Sequence, residues 1–97
     1  MADSTIPVSV VIPVRNEAET LPELLAALFR QYAKPAEIVL VDTGSTDNSV
    51  AIAQEWAGAA AHAGICLRLS QLPDGYPGAA RNAGVRAAAH EWIAFID

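Results

Sequence analysis

The chain is 97 residues long, carries a formal charge of −5, and is 53% apolar with only 18% charged residues. That balance fits one small folded domain and disfavours disorder, and six basic residues scattered singly exclude the clustered Lys and Arg of a nucleic-acid binder. A single cysteine, Cys66, excludes a disulfide framework and a Cys/His metal cluster, no apolar run approaches the roughly 20 residues that span a bilayer, and Met1 to Thr5 lacks signal-peptide character, so a cytoplasmic location is expected.

Residues 1–7 read as an N-terminal tail and 8–97 as one domain. Val8 to Val14 is a near-continuous β-branched run, the pattern of a strand buried on both faces of a sheet. After Arg15-Asn16-Glu17, apolar residues at Leu21, Leu24, Leu25, Leu28, Phe29 and Tyr32 line one face of a helix. Thr20 and Glu23 have the spacing of a capping box, with Pro22 in the tolerant first turn and Lys34-Pro35 as the stop. Glu37 to Val41 is a second buried strand, which runs into the polar loop Asp42 to Asp47. Helical spacing from Asn48 to Gly64 and a short strand from Ile65 to Leu69 follow. The turn-rich stretch Leu72 to Gly78 precedes a helix over Ala79 to His90 and a last strand, Trp92 to Ile96. Alternating strands and helices predict an α/β fold, a Rossmann-like parallel sheet with helices on both faces.

In such sheets ligands bind outside the carboxyl ends of the strands. The polar segments after strands one, two and four, at Arg15-Asn16-Glu17, Asp42 to Asp47 and Asp97, all fall on that edge. No G-x-G-x-x-G follows strand one and no G-x-x-x-x-G-K-[ST] occurs, which weakens dinucleotide binding and P-loop chemistry. The chain offers instead the carboxylates Glu17, Asp42 and Asp97, with Arg81 and Asn82 on the third helix. Carboxylates accept from base N–H groups and ribose hydroxyls, or hold a divalent cation against a diphosphate. Asp42 has two readings, a nucleoside contact or an Asx turn in its own loop, whereas Asp47 reads as a helix cap. Arg81 pairs with a neighbouring carboxylate or reaches a ligand, and Asn82 faces solvent or ties the third helix to the strand-one loop. His62 and His90 suit helix ends, Cys66, Trp56 and Trp92 read as packing residues, and Tyr76 in the Gly-Pro loop is the better candidate for a mobile aromatic near the pocket.

Three ordered segments, Ser9 to Glu17, Val41 to Asp47, and Gly78 to Gly84 leading to Phe95-Ile96-Asp97, resemble the inverting nucleotide-sugar glycosyltransferases of family 2, which have the GT-A fold. The resemblance covers residues 8 to 97 and the donor-binding front half of such an enzyme. It implies Pro13, Glu17 and Asp42 around the nucleoside, Arg81 closing over it, and Gly44 and Asn82 in support. It makes Asp97 the first carboxylate of a D-x-D motif that binds Mg2+ or Mn2+ and the sugar diphosphate. Thr43 stands where the family often has a second Asp. The implied function is metal-assisted transfer of a sugar from a nucleotide diphosphate to an acceptor hydroxyl with inversion, its catalytic base beyond Asp97 and this part inactive alone. Membrane association of the full-length protein stays open. The alternatives are a nucleotidyltransferase, against which the glycine-free Arg15-Asn16-Glu17 counts, and a small non-enzymatic nucleotide-binding module. If strand four lies beside strand one, its apolar edge predicts self-association.

Overall fold

Alternating burial organises the sheet. In the computed structural model, which describes residues 4–96, Val10, Ile12 and Val14 point to one face of β1 (Ser4–Val14) and Val11 to the other. Ile38 and Leu40 of β2 (Ala33–Asp42) join the first set, Val39 and Val41 the second. Both strands are therefore apolar on both sides, as a doubly covered parallel strand must be. With β3 (Cys66–Gln71) and β4 (Trp92–Phe95) they form one four-stranded sheet in the order β3-β2-β1-β4, and every neighbour pair is parallel. The chain runs outward from β1 through β2 to β3 and then returns to the other side of β1, so the strand order reverses between β1 and β4.

Two helices cover the first face. Leu21, Leu25 and Leu28 of α1 (Leu21–Phe29) and Ala53 and Ala60 of α2 (Ser49–His62) are buried against Val10, Ile12, Ile38 and Leu40. Phe29 and Trp56 meet edge to face between these helices, with ring centroids 5.4 Å apart. Among the described residues the second face takes only α3 (Pro77–Ala87), whose buried Ala80 packs on Val11, Val39 and Val41. Helices on both faces of a parallel sheet match the expected architecture.

Glycine sets how closely α3 approaches. A Cβ placed on Gly84 would lie 2.2 Å from Cγ1 of the fully buried Val11, whereas one on Gly58 in α2 meets nothing within 4 Å. Gly84→Ala is expected to destabilise by about 1–3 kcal/mol, because overpacking against a stiff β-branched side chain outweighs the gain in helix propensity. Gly58→Ala is expected to stabilise by roughly 0.5–1 kcal/mol. Denaturant unfolding of the two variants checks the opposite signs.

Several local expectations change. Residues 4–7 are not a tail: Ser4, Thr5 and Ile6 pair with Ala33, Lys34 and Pro35, ahead of an irregularity before Ser9. Pro35 is the third residue of β2 rather than merely the stop of α1, and it is tolerated because β3 pairs only from Glu37 onward. Thr20 makes no side-chain cap bond, so the capping box does not form; its hydroxyl donates to Glu17 Oε2 at 2.9 Å. Cys66 is exposed because β3 is an edge strand, and Trp92, on the opposite edge, is 72% exposed. The last helix stops at Ala87, so His90 is not at its end. Its Nδ1 lies 3.1 Å from Ser9 Oγ instead.

Candidate functional site

The loops after β1 and β2 are built as one unit. Asn16, in the left-handed region at φ 54°, accepts the backbone N–H groups of Thr46 (2.8 Å) and Asp47 (3.3 Å) on its Oδ1. Asn tolerates that conformation better than most residues. The Ala18 N–H donates to Asp47 Oδ2 (3.1 Å), and the Glu17 N–H donates to Ser49 Oγ (2.9 Å), whose own proton goes to Asp47 Oδ1 (2.6 Å). That Ser49 hydroxyl bond, with the Ser49 and Ala18 N–H groups, holds the Asp47 carboxyl below its usual value. Asp47 thus serves the start of α2, as expected, and also anchors the neighbouring loop.

Asp42 ends β2 only 4% exposed. Its Oδ2 accepts the N–H groups of Gly44 (3.2 Å) and Ser45 (3.1 Å), and Ser45 Oγ donates to its Oδ1. The Asx-turn reading therefore describes how Asp42 is held. Gly44 sits at φ 106°, a conformation L side chains rarely adopt, which gives it a defined part in the turn. Ser45 Oγ also accepts the Asn16 N–H (2.9 Å), so a chain of bonds runs from the strand-one loop through Ser45 to Asp42.

Above this framework lies a cleft of about 550 Å³ at the carboxyl edge of the sheet. Pro13, Val14, Arg15 and Glu17 come from the end of β1 and its loop, Thr43 follows β2, Asp74, Gly75 and Tyr76 follow β3, and Arg81 comes from α3. The expected residues Pro13, Glu17 and Arg81 thus meet in one cleft although up to 68 positions separate them. Asp42 is buried beside Thr43 and does not line the cleft. Asn82 is exposed, and among the described residues no hydrogen bond joins it to the strand-one loop. One position along a helix turns about 100°, which takes Asn82 off the cleft side, and the loop it was expected to tie is already closed by Asn16. Asp97, expected to hold the metal, lies outside the described residues.

Arg15 and Asp74 are not named as site residues from the sequence, and Thr43 enters there only as the position where the family often has a second Asp. Asp74 sits at φ 62° in an Asp-Gly turn, and that dipeptide was its only signal. A smaller cleft of about 220 Å³ lies alongside, sharing Pro13, Val14 and Glu17 and adding Thr20 among apolar side chains. Two guanidinium groups and two carboxylates in the main cleft suit a ligand that carries both anionic oxygens and hydroxyl or N–H donors. Among the described residues no group of three or more His, Cys, Asp or Glu could hold a metal ion, so these residues by themselves do not make a metal centre. Among them no helix is long and apolar enough to cross a membrane.

Known proteins resemble this chain in sequence and in fold. The uncharacterized glycosyltransferase YibD of Escherichia coli (strain K12) is 34% identical over the whole chain, which covers 27% of its length. Glycosyltransferase AglE of Haloferax volcanii is 39% identical over 97% of the chain and 31% of its own length. The crystal structure of S. aureus TarS residues 1–349 superposes with a TM-score of 0.79 at 31% identity, over 95% of this chain and 27% of that one, and it has also been solved with UDP and with UDP-GlcNAc. The chain thus spans about a quarter to a third of the length of these relatives. Its residues 9–97, from the middle of β1 through both linked loops to the last strand, match the family model for glycosyl transferase family 2, and the chain belongs to that family.

Proposed function

We propose that this chain forms the donor-binding part of a glycosyltransferase that moves a sugar from a nucleoside diphosphate to an acceptor hydroxyl with inversion. The observation that carries this reading is the convergence of Pro13, Glu17 and Arg81 from separate segments into one cleft at the edge where α/β sheets bind nucleotides. In this reading Pro13 packs on the nucleoside, the Glu17 carboxylate accepts ribose hydroxyls, and Arg81 closes over the nucleotide. Asp42, buried and off the cleft wall, acts through its turn, which holds Thr43 at the cleft. Arg15 adds a second cation for phosphate oxygens. The bound UDP and UDP-GlcNAc of TarS support a nucleotide-sugar donor.

The base that deprotonates the acceptor is assigned to no described residue, and these 97 residues are expected to turn over no sugar by themselves. An Mg2+ or Mn2+ ion held through Asp97 remains part of the proposal, and it needs groups beyond those described. β4 is an edge beside β1 with Trp92 72% and Phe95 47% exposed. Self-association through it is proposed, and a concentration-independent monomer in sedimentation would contradict it.

Thermal unfolding with UDP, GDP, dTDP and ADP tests the donor site. A ligand at ten times its Kd adds ~1.4 kcal/mol, so one of the four is expected to raise the midpoint by roughly 5–10 °C. Arg81→Ala is expected to cut that shift to a small residue, and an equal shift in wild type and variant would remove Arg81 from the site.

A further inference from the structure

Thr20 has the position of a helix cap but not its bond. Its backbone is helical (φ −99°, ψ −23°), no cap bond leaves its side chain, and its hydroxyl donates to Glu17 Oε2 at 2.9 Å. The Glu17 backbone is already fixed on both sides. Its N–H donates to Ser49 Oγ (2.9 Å), and its carbonyl accepts the N–H groups of Thr20 (3.1 Å) and Leu21 (2.8 Å). What remains free is the side chain, whose torsions are restrained by the Thr20 hydroxyl. Among the described residues Glu17 Oε1 has no hydrogen-bond partner. Glu17 lines both clefts, whereas Thr20 lines only the smaller one. The bond therefore holds one carboxylate oxygen on the smaller-cleft side and leaves the other for a ligand.

We propose that Thr20 is a positioning residue that orients the Glu17 carboxylate so that Oε1 selects a ribose hydroxyl, making the pair a determinant of ribonucleotide over deoxyribonucleotide binding. This rests on the donor-site reading. The chemistry is specific, because a pre-oriented carboxylate accepts a hydroxyl at little further ordering cost, while a deoxyribose leaves the same oxygen without its donor. Thr20→Val keeps the shape of the side chain and removes the donor, and Thr20→Ser keeps the donor.

The test is calorimetric titration of the full chain with the tightest-binding of UDP, GDP and ADP and with its 2′-deoxy counterpart, for wild type, Thr20→Val, Thr20→Ser and Glu17→Ala. Thr20→Val is expected to weaken the ribonucleotide about 3- to 10-fold and leave the deoxyribonucleotide unchanged, with Thr20→Ser restoring the difference. Glu17→Ala is expected to abolish the discrimination. If Thr20→Val weakens both nucleotides equally, or neither, while Glu17→Ala abolishes the discrimination, the role of Thr20 is refuted and the nucleoside reading of Glu17 stands. If Glu17→Ala leaves the discrimination intact, or no nucleotide binds to wild type, the reading of Glu17 fails and the role of Thr20 fails with it.

Discussion

Glu37→Ala is expected to lower stability by about 3 kcal/mol or more, a drop in midpoint of roughly 12 °C or more, measured by denaturant and thermal unfolding. Glu37 lies in β2 with 1% of its surface exposed, a place where a carboxylate persists only if fully paired. Its Oε1 accepts Ser9 Oγ (2.6 Å) and the Ala89 N–H (2.8 Å), and Oε2 accepts Arg68 Nε. One side chain thus joins β1, β3 and the turn between α3 and β4. Since the only Ser9 hydroxyl proton points at Glu37, His90 Nδ1 completes the chain as a donor to Ser9 Oγ. Removing the carboxylate leaves a buried hydroxyl and a backbone N–H without an acceptor. Glu37→Gln is expected to cost less, because its oxygen still serves Ser9 and Ala89 while its amide group opposes the Arg68 donor.

The same group gives a pH dependence of known sign. Burial pushes the Glu37 carboxyl up, but the hydrogen bonds from Ser9, Ala89 and Arg68 more than offset this and hold it below its usual value. A carboxyl whose folded value is depressed contributes stability that is fully present above the unfolded value, about 4.3, and lost as pH falls through the folded one. The midpoint difference between wild type and Glu37→Gln should therefore be largest near neutrality and shrink on acidification below about pH 4.3. Glu37 and Asp42 are five strand steps apart, about 16 Å, so nucleotide binding is expected to survive in Glu37→Gln.

Asp42→Ala is expected to abolish nucleotide binding and to cost about 2 kcal/mol of stability. Three donors lose their acceptor together: the N–H groups of Gly44 and Ser45 and the Ser45 hydroxyl. Because Ser45 Oγ also accepts from Asn16, the disturbance reaches the strand-one loop that carries Glu17. The turn bearing Thr43 then loses its fixed position beneath the cleft. Asp42→Asn is expected to fall between, since its oxygen can keep both N–H bonds while its amide faces the donating Ser45 hydroxyl. Titration calorimetry beside unfolding separates the two losses, and full binding in folded Asp42→Ala would mean that the turn does not shape the site.

The strands and their order of appearance were legible because apolar runs such as Val10 to Val14 and Ile38 to Val41 are buried on both faces. So was the ligand edge, since polar loops gathered on one side of the sheet. What escaped was set by long-range partners. The bond between Asn16 and Thr46 joins residues 30 apart, and nothing in the local sequence of Asn16 announces it. Glu37 looked like the polar start of a strand, and its role depends on Ala89, 52 residues away. Thr20 and Glu23 meet the capping pattern, yet the Thr20 backbone is already helical and its hydroxyl turns back to donate to Glu17. Cys66 and Trp92 sit in apolar runs as core residues would, but β3 and β4 are the two edges of the sheet, and edge position is a property of topology rather than of either strand.

The most direct test of the central claim is a backbone amide NMR titration of this chain with UDP, GDP, dTDP and ADP. Shift changes from one nucleotide are predicted to concentrate on residues 14–17, 43–45, 74–76 and 81, on the separate segments that the cleft brings together. Changes centred on the far end of the sheet, around Ser9, Glu37 and Ala89, or no change with any of the four at millimolar concentration, would contradict it.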